Sequence, residues 1–254
     1  MNRTFKLVVI GVMKCYFPSM KNVIKKFSLV ALGLGLSAGS VMADAAAEKV
    51  LKKARIAATL GNQELNGHLR KDGKKYPIAL FLKGKDIQFA YQKKSKWVKF
   101  HMRFKDGGAQ LFELKNGKTR YFNKKKLGES LLNTDLSYED MSMTFLYWKN
   151  AKVVRQETLK TQKCDVVRLE NPGGSGRYDI VYAWIHKKYG SLMQVKGYNK
   201  EGRMMKKFAV DKLMKVKGEY TLQRMRVDSF DPKSRKNTGT TYLEFVKPRR
   251  KRAL

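Results

Sequence analysis

The chain has 254 residues, with 55 Lys and Arg against 21 Asp and Glu, a formal net charge of +34. That length accommodates one all-β or α+β domain with a sizeable core, and the aromatic content, with no long low-complexity tract, argues against a disordered chain. The charge favours anionic partners, whether phosphate-bearing lipid headgroups, lipopolysaccharide or nucleic acid, or else serves only as a solubilising coat.

The N-terminus has the pattern of a secretory signal. Met20-Lys21-Asn22-Val23-Ile24-Lys25-Lys26 is a basic n-region. Phe27 to Gly39 is an apolar, small-residue h-region, too short to span a bilayer comfortably. Val41-Met42-Ala43 fits the small-residue cleavage rule and makes Asp44 the first mature residue, with cleavage after Ala47 as the alternative. Residues 1–43 are therefore expected to be a signal peptide. Met20 is an alternative start, because residues 1–19 form a second basic-apolar lead-in that a signal does not need; a retained membrane anchor is the other outcome. Cys15 lacks a lipobox, since Lys14 stands where a small residue is required. Loss of residues 1–43 removes six basic residues and no acids, taking the charge from +34 to +28, and leaves Cys164 alone. A lone cysteine in an oxidising compartment forms no internal bridge. Close to Val166 and Val167, Cys164 reads as a buried, inert small residue, with an intermolecular bridge as the alternative.

Asp44 to Leu60 is rich in Ala, Lys and Leu, and its apolar spacing suits a helix lying across a sheet. Period-two alternation then takes over. Glu64–Arg70, Tyr76–Lys83, Ile87–Tyr91, Trp97–Phe104, Ala109–Lys115 and Lys118–Phe122 read as strands, separated by turn signals such as Asp72-Gly73 and Asn116-Gly117. In the fourth, Val98, Phe100, Met102 and Phe104 face one way; in the fifth, Phe112 and Leu114 are expected to point inward. After residue 150 the pattern resumes over Ala151–Leu159, Cys164–Glu170, Tyr178–His186, Ser191–Tyr198, Arg203–Val216, Tyr220–Ser229 and Thr240–Val246. The expectation is mainly β (α+β), with ten or eleven strands, two main helices and one domain over residues 44–247. Residues 248–254 are a basic tail.

Between the two runs lies Thr134 to Trp148. Ser137 is a candidate N-cap with Asp140 three residues on, and Asp135, Glu139 and Asp140 cluster where a helix dipole favours negative charge. Tyr138, Met141, Phe145 and Trp148 recur at helical spacing on one face. The helix is either plain core packed on a sheet or a plug over a cavity for an apolar ligand, and composition alone does not choose.

The segment Asp135-Leu136-Ser137-Tyr138-Glu139-Asp140, followed by Phe145-Leu146-Tyr147-Trp148, resembles the bacterial outer-membrane lipoprotein-sorting proteins, the broad LolA-like family. Lys163-Cys164-Asp165-Val166-Val167-Arg168-Leu169, Tyr178 to Ile185 and Gly197 to Gly202 extend the resemblance, which covers roughly Glu48 to Lys247. It looks close to the less characterised branch of that family, not to its well-studied carrier. The hallmark early segment of the well-studied carrier is not found, so none of that carrier's functional residues are carried over. The resemblance implies an incomplete, strongly curved antiparallel β-barrel closed by helices. It also implies a periplasmic location, with membrane association as a variant, and a cavity sheltering lipoprotein acyl chains or another lipid. An inner-membrane exporter and an outer-membrane acceptor are the implied protein partners, and a monomer is expected. A carrier needs an apolar, adaptable cavity and a movable lid. The candidate lining is Val98, Phe100, Met102, Phe104, Phe112 and Leu114 from the strands, with Tyr138, Met141, Phe145 and Trp148 from the helix; for each strand residue, simple core packing is the competing role. The alternative is a basic surface module for anionic membrane or polymer.

Enzyme chemistry is not legible. His68, His101 and His186 share no metal-ligand spacing. No Gly-x-Ser-x-Gly elbow occurs, since Gly173-Gly174-Ser175-Gly176 is followed by Arg177. Capping accounts for Asp135, Glu139 and Asp140 more simply than acid–base work. No metal, cofactor or catalytic residue is expected, and the secretory signal argues against a physiological nucleic-acid partner.

Overall fold

The structure is a computed structural model. It describes residues 44–248 except 60, 61, 94, 95, 106, 107, 116, 117, 175 and 217. The expected signal peptide, the Met20 start, Cys15, the Asn116-Gly117 turn and the tail beyond residue 248 lie outside the described residues.

Helix α1 (Ala45–Thr59) comes first. Ala47, Leu51 and Ala54 recur at helical spacing and are buried, so one stripe of the helix faces the core. Six strands follow: β1 (Asn62–Lys71), β2 (Lys74–Lys83), β3 (Asp86–Lys93), β4 (Lys96–Lys105), β5 (Gly108–Lys115) and β6 (Lys118–Tyr121). A helical connection over residues 122–149 leads to seven more: β7 (Asn150–Leu159), β8 (Gln162–Glu170), β9 (Ile180–His186), β10 (Leu192–Tyr198), β11 (Met204–Val216), β12 (Glu219–Phe230) and β13 (Asn237–Phe245). Each extended stretch of the sequence is a separate strand, so the expected ten or eleven becomes thirteen. Very short turns keep the flanking strands paired up to their ends. At Asp72 and Gly73, φ is +49° and +75°, the left-handed pair a two-residue hairpin needs.

All thirteen strands form one antiparallel sheet, ordered β6-β5-β4-β3-β2-β1-β13-β12-β11-β10-β9-β8-β7. Two meanders are thus joined along a seam where β1 pairs with β13, Gly67 opposite Phe245 and Leu69 opposite Leu243. The sheet is not closed into a barrel: β6 and β7 are its edges. Ladder shifts interrupt several strands, among them β7 at Val153/Arg155, β10 at Gly197/Tyr198 and β11 at Val210/Lys212. Such bulges bend and twist a sheet, consistent with a strongly curved half-barrel.

One face is the core. Leu65, Leu69, Ile78, Phe89, Val167, Leu169, Val181, Ile185 and Val227 are buried there, under α1 and the helical connection. Because β6 and β7 are opposite edges, the connection between them runs as a strap from one edge of the sheet to the other.

Candidate functional site

The strap is built from short pieces. A 3-10 turn spans Lys124–Lys126, another Leu131–Asn133, helix α2 is Tyr138–Ser142, and a third 3-10 turn is Thr144–Tyr147. The continuous helix expected over Tyr138 to Trp148 is therefore broken. Met143 adopts φ +47° and stops α2 after five residues. Ser142 assists the stop, since its hydroxyl donates to the Glu139 carbonyl at 2.7 Å. The predicted capping box is present: Ser137 Oγ accepts from the Asp140 amide at 3.3 Å, and Asp140 Oδ2 accepts from the Ser137 amide at 2.7 Å.

The acids at this start do more than cap. Asp140 Oδ2 also meets Lys206 Nζ of β11 at 3.1 Å, and its Oδ1 accepts from Tyr178 OH at 2.6 Å. Lys206 Nζ donates again to the Asp135 carbonyl at 2.6 Å. Asp135 Oδ2 accepts from Thr241 Oγ1 of β13 at 2.8 Å and pairs with Lys71 of β1 at 3.2 Å. Glu139 Oε2 accepts from the Arg177 amide at 2.8 Å. All three acids are buried, as is Lys206. A buried ion pair is tolerable only when it is further hydrogen-bonded; here Asp140 also accepts from Ser137 and Tyr178, and Lys206 also donates to the Asp135 carbonyl. Burial pushes the Glu139 carboxyl up, against the bond from Arg177. Burial and the Asp140 charge push the Tyr178 phenol well above its ordinary range. Space is committed too: a Cβ on Gly197 would sit 2.5 Å from the Tyr178 ring. Together these contacts form a polar latch fixing one part of the strap to β1, β11 and β13.

Apolar contact fastens the rest. Tyr138 lies 5.4 Å from Phe100 and 4.8 Å from Phe122, ring to ring, and Phe100 meets Phe122 edge-on at 5.0 Å. Tyr147 stacks on Phe104 at 5.7 Å. Met102, Leu111, Met141 and Met143 complete this cluster. Tyr138 OH and Tyr91 OH are 2.5 Å apart, and burial raises both phenols.

The predicted lining residues divide accordingly. Phe100, Met102, Phe104, Tyr138 and Met141 come together in the aromatic cluster. Val98, Phe145 and Trp148 lie against the larger core beside α1. Phe112 and Leu114 do not point inward. Phe112 stands opposite His101 and Leu114 opposite Lys99, which share the outer face of β4, and directly opposed residues of a ladder project to one side. Leu111, opposite Met102, takes the inner position instead. Phe112 is satisfied outside by Tyr121 at 5.1 Å and His101 at 5.6 Å.

Sequence reasoning missed the latch partners Lys71, Tyr178, Lys206 and Thr241. A signal existed for Lys206. It shares strand parity with Phe208 and Val210, so a lysine stands where the alternation calls for an apolar residue.

Near the strap's far end, Lys85, Asp86, Arg103, Phe104 and Lys105 line a cleft of about 500 Å3. Burial there works against the Asp86 charge, but Arg103 and His101 outweigh it and hold the carboxyl below its usual range. Among the described residues no group of three or more His, Cys, Asp or Glu is placed to hold a metal. None of their helices is long and apolar enough to cross a membrane.

A family model described as "Uncharacterized protein" matches residues 111–249, more than half of the chain and including the strap and the latch residues other than Lys71. The chain belongs to this family. No curated protein matches it. Among solved structures, a putative outer membrane lipoprotein-sorting protein domain from Vibrio parahaemolyticus is similar at TM-score 0.60 and 14% identity, over 78% of this chain and 91% of that one. A DUF1329 family protein from Desulfovibrio piger gives 0.58 at 16% identity, over 79% and 91%. A LolA superfamily protein from Nitrosomonas europaea gives 0.57 at 16%, over 79% and 91%. The chain thus has the fold of the LolA superfamily, in agreement with the resemblance read from its sequence.

Proposed function

We propose that the protein is a periplasmic carrier that shelters the acyl chains of lipoproteins, or of another lipid, on its concave face during transport towards the outer membrane. The observation that carries this reading is the strap, held by a polar latch at Asp135–Asp140 and by aromatic and Met side chains beyond it. Sheltering an acyl chain from water is worth ~0.8 kcal/mol per CH₂, and a surface of Phe, Tyr and Met can repack around a flexible chain. Lifting the apolar part of the strap while the latch holds would uncover Phe100, Met102 and Phe104. The cleft beside Phe104, with Lys85, Arg103 and Lys105, suits an anionic headgroup at the rim. The sorting-protein fold supports the same reading.

On this proposal residues 1–43 are the signal peptide, residues 44–247 one binding domain and residues 248–254 a basic tail. The protein is a monomer without catalytic residues or cofactor, handing cargo from an inner-membrane exporter to an outer-membrane acceptor. Phe112 and Leu114 take no part in the lining.

The formal charge of +34 favours a second reading, a module for anionic membrane or polymer with no lipid inside. Native mass spectrometry of residues 44–254, purified gently from the periplasm of the host, separates the two. The carrier is expected to bring along mass that fragments to acyl chains and survives raised salt. A bare protein mass, with binding only to anionic surfaces and lost in salt, identifies the module.

A further inference from the structure

The convex face of β7–β10 carries a second constellation, independent of the strap and unused by the carrier reading. Arg155 of β7, Tyr182 and Trp184 of β9, and Lys196 and Tyr198 of β10 line a cleft of about 280 Å3. Register places it outside the core. Tyr182 stands opposite Arg168 on one side and Lys196 on the other, while Val181 and Ala183 turn inward and are fully buried.

Trp184 is the floor, 2% exposed. Lys196 Nζ lies 5.1 Å and Arg155 Cζ 5.6 Å from its ring. Tyr182 and Tyr198 meet edge to face at 5.5 Å and form a wall. Across the next ladder Lys196 stands directly opposite Lys207. Like charges in that relation repel. Burial first, and the Lys207 charge second, pull the Lys196 ammonium below the ordinary lysine range. The Glu157 carboxylate favours the Lys196 charge but does not outweigh these opposing effects. The nearby Glu157 is engaged by Arg155 at 3.1 Å. Two cations, Arg155 and Lys196, therefore converge over an aromatic floor, with a third, Lys207, beside Lys196 on the next strand. Glu157, whose charge Trp184, Arg155 and Lys196 all favour, supplies one negative charge against these three cations, so the cleft keeps a net positive charge that favours a further anion.

We propose that this cleft binds a phosphate-bearing headgroup, its phosphate oxygens between Lys196, Lys207 and Arg155 and the rest of the group against Tyr182 and Tyr198. An arginine fork and paired ammonium groups suit a multi-oxygen anion better than a single carboxylate. The cleft has room beyond one phosphate.

Two probes distinguish the source of that phosphate. Isothermal titration of the purified protein with sn-glycerol 3-phosphate, and with glycerol as the neutral control, reports a free ester. Flotation with vesicles of phosphatidylglycerol in phosphatidylcholine, against phosphatidylcholine alone, reports a membrane-borne one. We expect saturable binding of at least one phosphate-bearing probe. Lys196→Gln and Arg155→Gln should each weaken it tenfold or more, Lys196→Arg should preserve it, and Glu157→Gln, which frees Arg155, should tighten it several-fold. Lys196→Gln should melt no lower than the parent protein, because it removes the repulsion with Lys207. Binding to vesicles alone identifies a lipid headgroup, and binding to glycerol phosphate alone a soluble ester. The proposal is overturned if neither probe binds, or if Lys196→Gln binds as well as the parent.

Discussion

The two parts of the strap are fastened by different physics. At Asp135–Asp140 the contacts are short, charged and buried, reaching Lys71, Lys206, Thr241 and Tyr178. At Tyr138, Met141, Met143 and Tyr147 they are mostly ring packing and methionine, with one phenol pair. Charged contacts need their geometry and lose most of their value when a partner leaves. Apolar contacts are non-directional and accept a substitute surface. A segment with both has a fixed part and an exchangeable part, which is what the proposed lid over lipid requires.

The largest expected effect breaks the fixed part. Asp140→Ala leaves Lys206 buried without its carboxylate and should cost about 3–5 kcal/mol in urea unfolding; a loss under about 1 kcal/mol would mean that the latch does not hold the strap. Next comes Gly197→Ala, which drives a methyl into the Tyr178 ring. It should cost about 1–3 kcal/mol, and Tyr178→Ala in the same chain should relieve the clash, so a double-mutant cycle far from additive is expected. In the exchangeable part, Met141→Ser should cost less stability, about 1–2 kcal/mol for a half-buried side chain, yet lower acyl-chain affinity tenfold or more. Equal loss of folding and binding would make the two parts alike. Tyr138→Phe deletes the bond to Tyr91, worth about 1 kcal/mol, and should speed lipid exchange as measured with a fluorescent fatty acid.

The smallest effect concerns pH. Burial raises the Glu139 carboxyl. Its protonated form therefore favours folding, so this contribution is full below the unfolded-state carboxyl range and fades as pH rises through the higher folded-state value. Glu139→Gln, which keeps an acceptor for the Arg177 amide, should flatten that decline in melting temperature. An unchanged profile would show that the fixed part tolerates this charge without penalty.

Much of this fold was legible because alternation in strands is a direct record of burial. The parity of Phe100, Met102 and Phe104 is as read, and so is the capping box at Ser137 and Asp140. Two readings failed for identifiable reasons. Hydrophobicity alone points Phe112 and Leu114 inward, but Phe112 finds cover outside, in Tyr121 and His101, and the smaller Leu111 holds the inner place. The stripe from Tyr138 to Trp148 has helical spacing, yet Met143 turns left-handed and divides it. The latch was hidden because its members lie far apart in sequence, Asp140 and Lys206 by 66 positions and Asp135 and Thr241 by 106. Local patterns carry no trace of such pairings.

The seam between β1 and β13 sets a folding order. Each meander pairs strands that are neighbours in sequence, a low-contact-order process expected to be quick. The seam joins Arg70 to Tyr242 and waits on closure of nearly the whole domain, whose entropy must be spent before the pairing returns anything. Until it closes, Lys206 and Thr241, which belong to the second meander, cannot be held against Lys71 of the first. The strap's charged part thus completes only when the first and last strands of the sheet have met. Before that point the sheet's apolar face stands open, with the strap not yet held over it by its charged contacts.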